Sequence, residues 1–136
     1  MLSREDRTLA GEARVEPSLG SDPVALLFFD AKGHFAAQFM KRNRGAAAET
    51  EASGATGVPN NSRARGGYDA YFGTYVVDEA AGTVATTLAG ALSQENVGAV
   101  FVRHMSVAGD ELTIRLETAS AGGERIKRTL LWKRVG

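Results

Sequence analysis

Arg103 is the residue of this sequence best placed to do chemistry, because it lies on an otherwise apolar strand face. Residues 99–116 predict a β-hairpin that turns at Gly109-Asp110, since glycine at the first position of a two-residue loop suits a type II′ turn. Pairing Ala108 with Glu111 then fixes which side chains share a face. That face consists of Phe101, Arg103, Met105, Val107, Leu112, Ile114 and Leu116. A guanidinium taken out of water costs several kcal/mol unless it is paired, so we expect a partner for Arg103.

Two interpretations of Arg103 are open at this point. In the first, the guanidinium lies near a barrel mouth and pairs with carbonyl oxygens or with a carboxylate such as Glu95, while its stem covers apolar neighbours. In the second, it orients an anionic or carbonyl-bearing ligand inside a cavity, because its planar fork offers five donors.

A second predicted hairpin supplies hydroxyl groups to the same sheet. It pairs residues 68–77 with residues 83–92, and matching Val77 with Val84 places Tyr75 and Thr86 on one face. These hydroxyls can donate to a ligand or to the backbone. Gly73 lies in mid-strand, where a missing side chain permits a bend or the close approach of another backbone.

Aromatic residues cluster in the first predicted hairpin, which joins an apolar run over 24–29 to a partner strand over 33–42. A four-residue loop would place Phe28 opposite Phe35, whereas a three-residue loop with a bulge would change the facing, so the direction of Gln38 stays open. Trp132 lies in the last predicted strand, 125–135, where it can plug the barrel bottom, pack in the core or contact a ligand.

Residues 43–67 differ from the rest of the chain. They are rich in Ala, Gly, Glu, Thr and Asn, and the segment is longer than most connections in a compact domain. We expect a long flexible loop here, which is either a lid over a cavity mouth or a surface loop.

The spacing of these elements predicts an all-β fold. About eight strands, beginning with a short one over 8–16, are joined mostly by short connections, and no substantial helix is indicated. We therefore expect a single domain over residues 1–136 that forms an eight-stranded up-and-down antiparallel β-barrel, which is wide enough to enclose one small ligand.

Composition removes several classes of function. Sixteen basic and sixteen acidic residues cancel, so no net field attracts nucleic acid or anionic lipid, and no apolar run has membrane-spanning length. The polar N-terminus is not a signal peptide, so we expect a cytoplasmic protein. There is no cysteine, and His34 and His104 lie far apart, so we expect neither a metal site nor a cofactor. Asp69 falls near a strand end, where carboxylates usually cap backbone donors.

A set of short blocks across residues 19–135 resembles the lipocalin-like domain family of bacterial and fungal proteins. The blocks are Leu19-Gly20-Ser21-Asp22-Pro23-Val24, Asp30-Ala31-Lys32-Gly33-His34, Tyr71-Phe72-Gly73-Thr74-Tyr75, Gly82-Thr83-Val84, Asn96-Val97-Gly98, Gly109-Asp110-Glu111 and Leu131-Trp132-Lys133-Arg134. The resemblance implies a small lipocalin-like β-barrel that holds a hydrophobic molecule. Related barrels serve as cyclases or isomerases in natural-product pathways.

We therefore expect a module that binds a small hydrophobic molecule in the barrel interior, with a buried arginine orienting the polar end. The expected ligand contacts are Phe28, Phe35, Gln38, Phe39, Tyr71, Tyr75, Thr86, Phe101, Arg103, Met105 and Trp132. One alternative is a cofactor-independent cyclase or isomerase acting on a natural-product intermediate, in which Arg103 or Tyr75 stabilises developing negative charge. Another is a structural β-domain, which could form a homodimer through an exposed strand edge.

Overall fold

Strands account for nearly all the regular structure in the computed structural model, which describes residues 1–43, 65–120 and 122–135. They are β1 Ser3–Thr8, β2 Ala13–Arg14, β3 Val24–Phe29, β4 His34–Met40, β5 Tyr68–Asp78, β6 Thr83–Ala91, β7 Val100–Ala108, β8 Glu111–Ala119 and β9 Arg125–Lys133. A single 3₁₀ turn, Gln94–Asn96, precedes β7. Within these described ranges, no helix has the length and apolarity needed to cross a membrane.

The nine strands form one antiparallel sheet in the order β2-β1-β9-β8-β7-β6-β5-β4-β3. The predicted all-β, up-and-down architecture is confirmed, but the strand count and the closure are corrected. The ninth strand arises because the predicted first strand over 8–16 is replaced by β1 and the two-residue β2.

The sheet is an open one, because no ladder in the described part of the chain joins β3 to β1 or β2. Residues 15–23 run between these edges, and Pro17 and Pro23 lack the N–H groups that a ladder requires. Leu19 from this segment packs into the core instead and is 2% exposed. The seam is therefore filled by a side chain rather than by strand pairing.

The sheet nevertheless curls around a common interior. Phe39 of β4 and Trp132 of β9 make an edge-to-face contact with ring centroids 5.8 Å apart. The two strands are five positions apart in the sheet order, which in a flat sheet would separate them by about 24 Å. Their contact shows that the inner faces of β4 and β9 meet across the interior.

Turn chemistry sets the registers of the two later hairpins as predicted. Ala108 pairs with Glu111 and Met105 with Ile114, and Gly109 has a φ of 60°, as the first position of the turn requires. Val77 pairs with Val84 in the β5–β6 hairpin.

The β3–β4 hairpin takes the bulged alternative, with Phe29 rather than Phe28 opposite Phe35. The Asp30 carboxylate accepts hydrogen bonds from the backbone N–H groups of Lys32 and His34 at 2.9 and 2.8 Å, and Gly33 has a φ of 92°. This bulged turn directs the Phe29 side chain inward and leaves Phe28 on the outer face.

Gly73 marks a bend in β5. The β5–β6 register shifts between Phe72 and Gly73, and a Cβ atom on Gly73 would lie 1.8 Å from the carbonyl oxygen of Thr87. The predicted close approach of another backbone is therefore present, and it lets the long strand curve around the core.

A long loop was predicted over residues 43–67. Residues 44–64 of it lie outside the described residues. The lid interpretation of that loop stays a prediction. Homodimer formation also stays a prediction.

Candidate functional site

The concave face of the sheet encloses a cavity of about 40 Å³. At 10–15 Å³ for each water molecule, this is room for about three waters. The lining residues are Leu27, Phe29, Phe35, Phe39, Tyr71, Thr86, Phe101, Arg103, Met105, Ile114, Leu116, Leu130 and Trp132. Leu27, Phe29, Arg103 and Met105 are half-buried and form the rim, while the others are buried.

Arg103 brings a positive charge to this apolar lining. Its guanidinium carbon lies 4.7 Å from the centroid of the Phe101 ring, and Nη1 donates to the carbonyl oxygen of Val102 at 3.5 Å. Nη2 is buried and has no hydrogen-bond partner among the described residues. Burial lowers the pKa of Arg103 below its ordinary value, the nearby Tyr71 raises it and the positive charge of Arg128 lowers it further.

The carboxylate pairing considered for Arg103 is not found in the described part of the chain. Glu95 instead forms an ion pair with Arg65, with 3.7 Å between Nη2 and Oε1. Arg103 is therefore a half-buried cation, and within these residues its charge is compensated by one long hydrogen bond and one aromatic face.

A buried ion pair lies beside Arg103 on the inner face. Arg128 of β9 donates from Nε and Nη2 to the two carboxylate oxygens of Asp6 at 2.7 and 2.9 Å, and both residues are almost fully buried. Both carboxylate oxygens of Asp6 therefore accept a hydrogen bond from Arg128. The Nη1 atom of Arg128 is buried without a partner in the same described region.

A second ionic cluster lies where β1 meets the 16–20 segment. Arg4 donates to Glu16 Oε2 at 3.0 Å and to the Gly20 carbonyl oxygen at 3.3 Å. Asp69, which is 1% exposed, contributes a carboxyl group whose pKa is raised to about 7, chiefly by burial. The Ala70 N–H and Arg4 act in the opposite direction, and Glu16 adds to the increase.

Sequence reasoning missed this polar inner face of β1. Its burial alternates with period two, and the buried members are Arg4, Asp6 and Thr8. The sequence shows no such alternation, because all six residues of β1 are polar. A search for apolar periodicity does not detect it.

A family model for the lipocalin-like domain matches residues 7–135, which is nearly the whole chain. The chain belongs to the lipocalin-like domain family. No curated protein and no solved structure matches it. The family resemblance drawn from short sequence blocks is thus confirmed.

Eight of the eleven side chains predicted to contact a ligand line the cavity of this lipocalin-like domain. They are Phe35, Phe39, Tyr71, Thr86, Phe101, Arg103, Met105 and Trp132. Phe28 and Gln38 are exposed on the outer face, because the bulged β3–β4 register directs their neighbours Phe29 and Phe39 inward.

Tyr75 lies beside the cavity rather than in its lining. Its hydroxyl donates to the carbonyl oxygen of Asp30, and its ring contacts Phe29 edge-on with centroids 4.9 Å apart. The Thr86 hydroxyl likewise donates to a backbone carbonyl, that of Phe101, at 3.3 Å. Tyr75 thus ties β5 to the β3–β4 turn.

We expect Tyr75→Phe to lower the free energy of unfolding by about 1 kcal/mol, because it removes this hydrogen bond and keeps the ring. Urea unfolding of the two proteins measures the difference. An unchanged free energy would show that the bond contributes nothing to stability.

The chemistry available to the lining is donation and electrostatic stabilisation. Its polar groups are on Arg103, Tyr71, Thr86 and Trp132, and none of the described lining residues is an acid, a histidine or a lysine. Across the described residues there is also no group of three or more metal-ligating His, Cys, Asp or Glu side chains. Of the two residues given a role in the enzymatic alternative, Arg103 lines the cavity and Tyr75 does not, and that alternative stays a prediction.

Proposed function

We propose that this lipocalin-like domain binds a small, largely apolar molecule in the cavity and that Arg103 holds its polar end. The observation that carries the proposal is the buried, unpartnered Nη2 of Arg103 among the aromatic and aliphatic side chains of the described lining. A ligand oxygen at that position would satisfy the donor and compensate the charge.

The size of the cavity limits the ligand. A volume of about 40 Å³ takes a molecule of only a few heavy atoms with the side chains in their present positions. Leu27 and Phe29 on the rim belong to β3, the last strand of the sheet, which among the described residues has a paired strand on one side only. A larger guest therefore requires movement at this edge.

The single tryptophan of the chain makes binding measurable. Trp132 lines the cavity, so a guest that enters changes the environment of the indole ring. We expect a saturable change in tryptophan fluorescence, together with a higher melting temperature, for some members of a panel of small apolar molecules that carry one polar group. If no member of the panel changes either signal, the proposal is wrong.

Arg103→Met tests the assigned role. Removing a charge-assisted hydrogen bond to the ligand should weaken binding by about 10- to 100-fold, whereas the free protein should keep or gain stability because an uncompensated buried charge is lost. Fluorescence titration gives the first quantity and thermal unfolding the second.

Arg115→Met is the matched control. Arg115 lies in the same hairpin on β8, but its side chain is exposed on the opposite face of the sheet. We expect this variant to bind as the unmodified protein does. Equal weakening in both variants would contradict the role given to Arg103.

A further inference from the structure

The buried polar atoms left unsatisfied in the cavity lining are hydrogen-bond donors. Arg103 Nη2 and Trp132 Nε1 are both buried without an acceptor among the described residues. The Thr86 hydroxyl already donates to the backbone, and no carboxylate belongs to the described lining. Two residues of the lining therefore carry donors that need acceptors.

Two buried or nearly buried carboxylates of β1 and the 16–20 segment, Asp6 and Glu16, are already bound. Both oxygens of Asp6 accept from Arg128, and Glu16 accepts from Arg4 and from the backbone N–H groups of Ser18 and Leu19. Arg128 adds a second positive charge that acts on Arg103. Arg103 is thus the charge of the described lining that no carboxylate compensates.

From these contacts we infer that the polar end of the ligand is an anion, and specifically a carboxylate. The inference rests on the proposed function and narrows its ligand class. A carboxylate brings two acceptor oxygens and no donor, which matches the planar fork of Arg103. An amide of the same shape brings an NH₂ group whose two donors would meet further donors, so part of its hydrogen bonding would stay unmade.

The cavity volume favours a short monoanion over a bulkier one. About 40 Å³ is filled by the three heavy atoms of a carboxylate group, and the rim of Leu27, Phe29 and Met105 provides apolar contact for a short chain beyond it. A phosphate group carries more oxygens than the unsatisfied donors of the described lining, Arg103 Nη2 and Trp132 Nε1, can satisfy.

Propionate and propionamide form the test pair, because they differ in charge and donor content but hardly in shape. Both are titrated at pH 7 and constant ionic strength, with Trp132 fluorescence and NMR shifts as readouts. We expect propionate to bind at least about tenfold more tightly than propionamide. Equal affinity for the two would overturn the carboxylate inference and leave the proposed function standing. If neither these probes nor the neutral members of the apolar panel bind, both are overturned.

Variants of Arg103 separate charge recognition from simple filling of the cavity. Arg103→Gln should bring the affinity for propionate down to that for propionamide, and Arg103→Lys should keep part of the preference. Arg115→Gln, on the exposed face of the same hairpin, should keep all of it. An undiminished preference for propionate in Arg103→Gln would overturn the inference. Should that variant fail to fold, the comparison of the two probes in the unmodified protein still decides.

Discussion

Replacing Asp69 with asparagine is expected to make the protein more stable at both pH 5 and pH 8, and the gain should be about 3 kcal/mol larger at pH 8 than at pH 5. The carboxyl group is 1% exposed, and its Oδ2 atom has no hydrogen-bond partner among the described residues. Burial therefore favours the protonated form and raises the pKa from 3.8 to about 7. Asparagine has nearly the same shape and carries no charge to bury.

The direction of the pH dependence follows from proton binding. Because its folded pKa is the higher one, Asp69 binds more protons in the folded than in the unfolded chain between pH 3.8 and about 7. Its contribution to stability is full below that interval and is lost as the pH rises through about 7. From pH 5 to pH 8 the free energy of unfolding should therefore fall by about 3 kcal/mol through this group.

Urea unfolding of both proteins at pH 5 and pH 8 measures the effect. Asp110→Asn serves as the control, because Asp110 is exposed in the β7–β8 turn, and this variant should keep the pH dependence of the unmodified protein. A pH dependence that persists unchanged in Asp69→Asn would show that burial of this carboxyl group does not set it.

Gly73→Ala is expected to destabilise the fold by about 3 kcal/mol or more. The added Cβ would lie 1.8 Å from the Thr87 carbonyl oxygen and 2.9 Å from the Ala89 nitrogen. Both atoms belong to the backbone of β6, so neither can rotate away, and relief requires the two strands to separate at the bend.

Alanine substitutions at two other glycines provide a comparison for the loss of stability in Gly73→Ala. A Cβ on Gly122 has its nearest neighbour at 3.8 Å, so Gly122→Ala should be close to neutral. A Cβ on Gly90 would meet the ring of Phe72 at 2.4 Å, but that ring is 57% exposed and can move, so the cost should be intermediate. Chemical unfolding ranks the three variants. A Gly73→Ala protein as stable as Gly122→Ala would contradict the close approach of β5 and β6.

Local chemistry made much of the fold predictable. The glycine at position 109 determines the turn and therefore which face carries Arg103. The same reasoning placed Phe101, Met105 and Ile114 together, and these three side chains line the cavity.

The features that the sequence did not predict depend on contacts that hydrophobic periodicity does not describe. The first hairpin left two registers open, and only the capping of its turn by Asp30 decides between Phe28 and Phe29. Asp69 lies at the start of β5 and accepts from the Ala70 N–H, as predicted, but its nearly complete burial was not predicted. Sequence periodicity cannot reveal that neighbours from distant strands enclose a charged side chain.

The prediction of a closed barrel was wrong for a similar reason. A count of strands says nothing about whether the first and last can pair, and the two prolines between β2 and β3 remove the donors required at the seam.

The one-sided attachment of β3 links access to the interior with local unfolding. An inner strand must lose two ladders to detach, whereas β3 has only its ladder with β4 in the part of the chain that the structure describes, so we expect its amide protons to exchange with solvent at a lower opening free energy. Leu27 and Phe29 travel with that strand. The same breathing motion that exposes these amides also widens the entrance, so a molecule held inside would slow their exchange.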